Sequence, residues 1–152
     1  MRVNSTQQIK ITQSQFEELI FACENTGHEI RYYFDKQTGE VEILGEYNEN
    51  DPEPEERIED EFGERYIRVP MIESWQSFED LVAFTETVGD MRMKHSLERA
   101  LSGGKGVFRR FKDSVSDDSR LLEEWYKFKD QKNRERVVKV LEEEELIKLI
   151  IE

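Results

Sequence analysis

A mixed α+β fold is predicted by a change of hydrophobic period along the chain. Apolar residues recur at helical spacing near the N-terminus, alternate with polar ones between residues 29 and 70, and return to helical spacing afterwards. The expected architecture is a small antiparallel β-meander of about three strands, an N-terminal helix and a C-terminal set of about four helices. At 152 residues the chain fits one domain, 1–152, with enough length for a single core.

Thr12-Gln13-Ser14-Gln15 offers a helix start. Phe16, Leu19, Ile20 and Cys23 then follow at i, i+3, i+4 and i+7, and Asn25-Thr26-Gly27 closes the segment. Glu29 to Asp35 and Glu40 to Gly45 read as strands joined by Lys36-Gln37-Thr38-Gly39, a hairpin loop with glycine where positive φ is needed. Val41 and Ile43 alternate with Glu40 and Glu42, which predicts one buried and one wet sheet face. Residues 46–64 hold ten acids against Arg57 alone and include Pro52 and Pro54, so a mobile acidic loop is expected at about 46–64. Arg65 to Val69 reads as the third strand, stopped by Pro70.

Helical spacing resumes at Ser74 to Val88, where Trp75, Phe78, Leu81, Val82, Thr85 and Val88 form a predicted buried stripe, capped by Ser74 or Ser77 and ended by Gly89. Asp90 is positioned to cap a helix over Met91 to Leu101. A third helix is expected from Lys105 to Val115, with Phe108, Phe111 and Val115 inward. The last starts near Asp117 or Asp118, carries Leu121, Leu122, Trp125 and Phe128, and continues through Val137, Val138 and Leu141. The stretch from Lys129 to Arg136 has no apolar residue, which predicts an exposed or kinked segment. Leu146 to Ile151 is apolar and compatible with either helix or strand.

The formal net charge of −13 is unevenly placed. Against the acidic stretch stands Arg92 to Lys112, with seven bases and only Glu98. The overall charge disfavours loose attraction to nucleic acid or anionic lipid, while the local basic excess allows a narrow anionic contact. No run reaches the roughly 18 apolar residues of a membrane span, and Met1 to Gln7 has no apolar core for a secretory leader. A cytoplasmic location is the expectation, and Cys23, the one cysteine, has no disulfide partner in the chain.

No catalytic constellation, metal site or cofactor motif is evident, and a non-enzymatic protein is expected. Cys23 falls on an apolar stripe, which suits a core thiol better than a nucleophile. His28 and His95 lack partners at ligand spacing. The acidic stretch lacks the ligand spacing of a calcium loop. Gly103-Gly104-Lys105-Gly106 precedes a helix and could present backbone N–H groups to an anion, although it is no Walker A loop and glycine fills ordinary interhelix turns as readily. In Phe108-Arg109-Arg110-Phe111-Lys112 the rings are expected inward, while Lys105, Arg109 and Lys112 form an outward basic stripe. That stripe either holds an acidic partner or is neutralised by Asp113, Glu123 or Glu124. Trp125 and Phe128 are expected in the core, with Tyr126 facing out.

Gly104 to Asp113 and Glu124 to Asp130 together resemble the bacterial uncharacterised family UPF0158. Thr38-Gly39-Glu40-Val41, Arg65 to Pro70 and Arg134 to Leu141 extend the resemblance over most of the chain, whereas Glu142 to Ile151 departs from it. The resemblance implies one bacterial cytoplasmic domain with a preserved core and brings no activity, substrate or catalytic residue. The residues therefore point to a protein-binding module. Its expected contact surface is Arg109, Arg110 and Lys112 with Lys105 and the turn glycines Gly103, Gly104 and Gly106; nucleic-acid binding through the same residues is the alternative.

Overall fold

The computed structural model of the chain describes residues 5–45 and 51–152. The expected α+β composition is found: six helices, a three-stranded antiparallel sheet and a two-stranded parallel sheet among the described residues. The chain divides into two compact units, Met1–Met71 with Arg134–Glu152, and Ile72–Asn133.

The first unit opens with β1 (Gln7–Ile11) and α1 (Gln13–Asn25). Thr12 Oγ1 accepts from the Gln15 N–H at 3.0 Å while Gln15 Oε1 accepts from the Thr12 N–H at 2.9 Å, a reciprocal cap that fixes the helix start where the sequence placed it. Phe16, Leu19, Ile20, Ala22 and Cys23 form its buried face. The turn between β2 (Arg31–Asp35) and β3 (Val41–Leu44) needs glycine at 39 twice over: φ is 79°, and a Cβ would lie 2.8 Å from Ile11 Cγ2. Asp35 closes the same turn by accepting from the Gln37 and Thr38 N–H groups at 2.9 and 3.3 Å.

The strand order is β3-β2-β4, with β4 at Tyr66–Arg68, so the sheet is antiparallel as expected but not a sequential meander. Tyr33 pairs with Glu42 on one side and Arg68 on the other. The central place goes to β2, whose Tyr32, Tyr33 and Phe34 are the most aromatic run of the three strands.

The acidic stretch also differs from its expected form. Its first part, 46–50, lies outside the described residues, but Glu53–Asp60 is a helix, α2, rather than a loop. Pro54 sits in the first turn, where no intrahelical N–H bond is lost, and Glu53, Glu55 and Glu56 occupy the end where negative charge is favoured. Its single apolar residue, Ile58, is buried with Tyr33, Leu44 and Tyr66. Arg57 donates to Glu53 at 2.9 Å and to the Tyr66 hydroxyl at 3.2 Å, and it also bonds Glu42. The sheet face carrying Glu42, expected to be wet, is therefore covered. A sum over charges hides this, because one apolar and one basic residue do the anchoring.

Two segments distant in sequence complete the unit. β5 (Ile147–Ile151) pairs in parallel with β1 from Gln7↔Ile147 to Ile11↔Ile151, which makes the apolar tail a strand.

The second unit contains α3 (Ser74–Thr87), α4 (Met91–Ser102) and α5 (Val107–Val115). The 26-residue α6 (Ser119–Glu144) begins in it and ends in the first unit. Asp90 Oδ1 accepts from the Met93 N–H at 3.0 Å, the expected cap of α4. α3 is capped instead by Glu73, whose N–H donates to Gln76 Oε1 at 2.9 Å. Its buried stripe is rotated from the expected one: Leu81, Phe84, Thr85 and Val88 are inside, while Trp75 is 61% exposed. Phe84 lies at the centre of the unit, with ring centroids 5.3 Å from Trp125, 5.4 Å from Phe128 and 6.4 Å from Phe111. α6 is one helix through the stretch expected to be exposed or kinked, and that stretch is only partly exposed. Asn133 is buried there, and the Arg134 guanidinium stacks 5.2 Å over the Phe16 ring while pairing with Glu17.

Candidate binding surface on helix α5

The glycine-rich turn is arranged around Arg110. Its guanidinium donates to the Ala100 carbonyl from Nε at 3.3 Å and from Nη2 at 3.2 Å, to Gly104 at 3.3 Å and to Lys105 at 2.5 Å. Carbonyls at the end of α4 have no intrahelical N–H, and a cation there also favours the helix dipole. Gly103 is required by this arrangement, because a Cβ would lie 2.3 Å from Arg110 Nη2. Gly106 caps α5 at φ 85°, a conformation costly to any residue with a Cβ. The turn thus directs carbonyl oxygens at a cation held by the same chain, as an interhelix turn, whereas the alternative of an anion site needs N–H groups facing outward. Arg110, expected with the exposed stripe, is half-buried and belongs to the fold.

The remaining cations of the motif behave differently. Lys105, Arg109 and Lys112 are exposed, and their side chains form no ion pair among the described residues. Glu123 and Glu124 pair within α6, with Lys127 at 3.5 Å and Arg120 at 3.7 Å. The neutralising partners considered for the stripe are thus engaged elsewhere, apart from exposed Asp113.

The two phenylalanines of the motif separate. Phe111 is 1% exposed and packs edge-on against Trp125 at 5.1 Å. Phe108, expected inward, is 45% exposed. The inward face of a nine-residue helix is narrow, and Val107, Phe111 and Val115 at i, i+4 and i+8 occupy it, leaving Phe108 at its margin. There it lines a cleft of about 180 Å³ with Ser77, Asp80, Trp125 and Lys129. Nothing in the i, i+3 spacing of the two rings distinguished them, and only the preceding Val107 hinted at the phase.

The other candidates remain apart from this surface. Cys23 is buried, and loss of hydration, aided by the Glu24 charge, pushes its pKa up to about 12. His28 is exposed, and His95 lies exposed beside Arg92, Glu98 and Arg99. Among the described residues no group of three or more His, Cys, Asp or Glu is placed to hold a metal ion, and no helix is long and apolar enough to cross a membrane.

Comparison with known proteins agrees with the motif. The profile of the "Uncharacterised protein family (UPF0158)" matches residues 9–152. The UPF0158 protein PA5073 of Pseudomonas aeruginosa is 29% identical over 130 residues, covering 86% of this chain and 82% of that protein. No solved structure matches. With a match running from β1 through β5, and with Phe111 and Trp125 of the two motif segments meeting in one core, the chain belongs to the UPF0158 family.

Proposed function

We propose that this chain is a non-enzymatic protein-binding module whose contact surface is the outer side of α5. One observation carries the reading: Lys105, Arg109 and Lys112 are exposed without an intramolecular ion pair among the described residues, and Phe108, on the same helix as Arg109 and Lys112, is 45% exposed. On α5, Phe108 is one turn from Lys112, while Lys105 stands in the turn before the Gly106 cap, so the helix offers an apolar anchor one turn from a cation. Such a face suits an acidic partner segment that also offers an apolar residue, with the charges guiding encounter and the ring supplying buried area.

The Arg110 cradle supports protein over nucleic acid, since it removes one cation and turns carbonyls toward it. The charge of the unit supports the same choice: Ile72–Asn133 holds twelve acids and eleven bases, a net charge of −1. A polyanion would meet little long-range attraction there. The discriminating experiment is capture from native extract with the wild type and with Arg109→Glu/Lys112→Glu, beside binding to heparin and RNA at low salt. Loss of the same proteins from the variant, with no polyanion bound by the wild type, supports the reading. Tight, salt-sensitive binding to heparin or RNA overturns it in favour of nucleic acid.

A further inference from the structure

The β1/β5 sheet is open along β5 from Lys148 onward, while Ile147 is buried. The Leu146 carbonyl accepts from the Gln7 N–H at 2.7 Å, and the Glu152 N–H donates to the Ile11 carbonyl at 3.0 Å. With the parallel register, these two bonds place the backbone polar groups of residues 146, 148, 150 and 152 toward β1. Those of Ile147, Leu149 and Ile151 therefore point away from β1, and they have no hydrogen-bond partner among the described residues. Exposed strands are usually protected by prolines, bulges or several charges. The outer edge Ile147-Lys148-Leu149-Ile150-Ile151 has no proline and one charge, and Ile151 is 39% exposed. A two-stranded sheet is also marginal unless further strands or a covering layer support it.

From this edge we propose that the chain forms a two-fold homodimer by antiparallel pairing of β5 with β5 of a second copy, giving a continuous sheet β1-β5-β5-β1. The edge is self-complementary in one register. Placing Ile150 on the two-fold axis sets Leu149 opposite the partner's Ile151, so that the outward-pointing groups of these two residues exchange both hydrogen bonds, once on each side of the axis. Lys148 then faces the partner's Glu152. This is a non-hydrogen-bonded pair, in which side chains approach most closely, and it also occurs twice. Lys148 and Glu152 are exposed on the face shared with Gln8 and Lys10, so the pairing needs no rearrangement of the core. A second copy meets the backbone, apolar and charge requirements of this edge together.

Sedimentation equilibrium over a wide concentration range, combined with amide hydrogen exchange, tests the proposal. The wild type is expected at twice the chain mass, with the Leu149 and Ile151 amides becoming protected as concentration rises. Lys148→Glu places like charges opposite each other twice and should shift the protein to monomer with an unchanged circular dichroism spectrum. Lys148→Glu/Glu152→Lys should restore the dimer. A monomer at all concentrations overturns the proposal. So does a dimer indifferent to Lys148→Glu, or one in which Leu149 and Ile151 exchange as fast as in the monomer.

Discussion

Arg110 donates two hydrogen bonds to the carbonyl of Ala100, ten residues earlier, tying the start of α5 to the last turn of α4. Arg109, its neighbour, is exposed and has no ion pair among the described residues. Adjacent residues of one type therefore do different work, and substitutions should separate them.

Arg110→Met should destabilise the protein by about 2 kcal/mol, because it leaves carbonyls that a charged donor had satisfied. Arg110→Lys should recover only part of this, since an ammonium cannot reproduce the planar fork. Gly103→Ala should act in the same direction by displacing the guanidinium. Urea unfolding of the three variants measures the effect, and wild-type stability in Arg110→Met would remove the cradle from the account.

The Asp35–Arg65 pair, at 2.9 Å, predicts an acid-sensitive contribution. Burial, the largest single influence, pushes the Asp35 carboxyl up. The Arg65 guanidinium and the hydrogen bonds from Gln37 and Thr38 together outweigh burial and hold the group below its ordinary value of 3.8. A carboxyl whose folded pKa is depressed stabilises the fold above the unfolded value and loses that contribution as pH falls through the folded one. The stability difference between wild type and Asp35→Asn should thus be constant near neutrality and shrink once pH drops below 3.8. Chemical denaturation across that interval checks the sign, and a difference that grows on acidification would refute it.

Cys23 should be inert in the native state. With its pKa at about 12 and its side chain buried, almost no accessible thiolate exists at neutral pH. Titration with a chromogenic disulfide reagent should give no fast reaction until denaturant is added, then one equivalent. Rapid native labelling would show that α1 opens readily.

The chain should unfold in one transition despite its two compact units. The hydrogen-bonded turns of α6 continue past residue 133, so separating the units' unfolding would require breaking the helix there. Trp75 and Trp125 both lie in the second unit, so fluorescence follows that unit while far-ultraviolet circular dichroism follows both. Coincident curves are expected, and two separated midpoints would contradict the single-domain reading.

Local signals in the sequence were reliable where neighbouring residues determine the structure. The Thr12–Gln15 cap, the period of Phe16, Leu19, Ile20 and Cys23, the Gly39 turn and the Asp90 cap all depend on contacts within a few residues or on one backbone angle. β1 was missed because five residues, two of them inward isoleucines, become a strand only through pairing with residues 140 positions later. α2 was missed because Ile58 and Arg57 gain their anchors from β2, β3 and β4. For the candidate surface, the exposure of Arg109 and Lys112 was legible from helical spacing, whereas Lys105, expected on the same helix, stands in the turn before Gly106. The withdrawal of Arg110 was not, because its partners are backbone carbonyls, which no side-chain pattern announces.

The most direct measurement compares capture by wild type and by Arg109→Glu/Lys112→Glu, with a thermal melt of each. The account predicts that the variant melts close to the wild type and loses the proteins retained by the wild type. Undiminished capture of those proteins by a folded variant, or a collapse of its melting temperature, would contradict a surface role for these two cations.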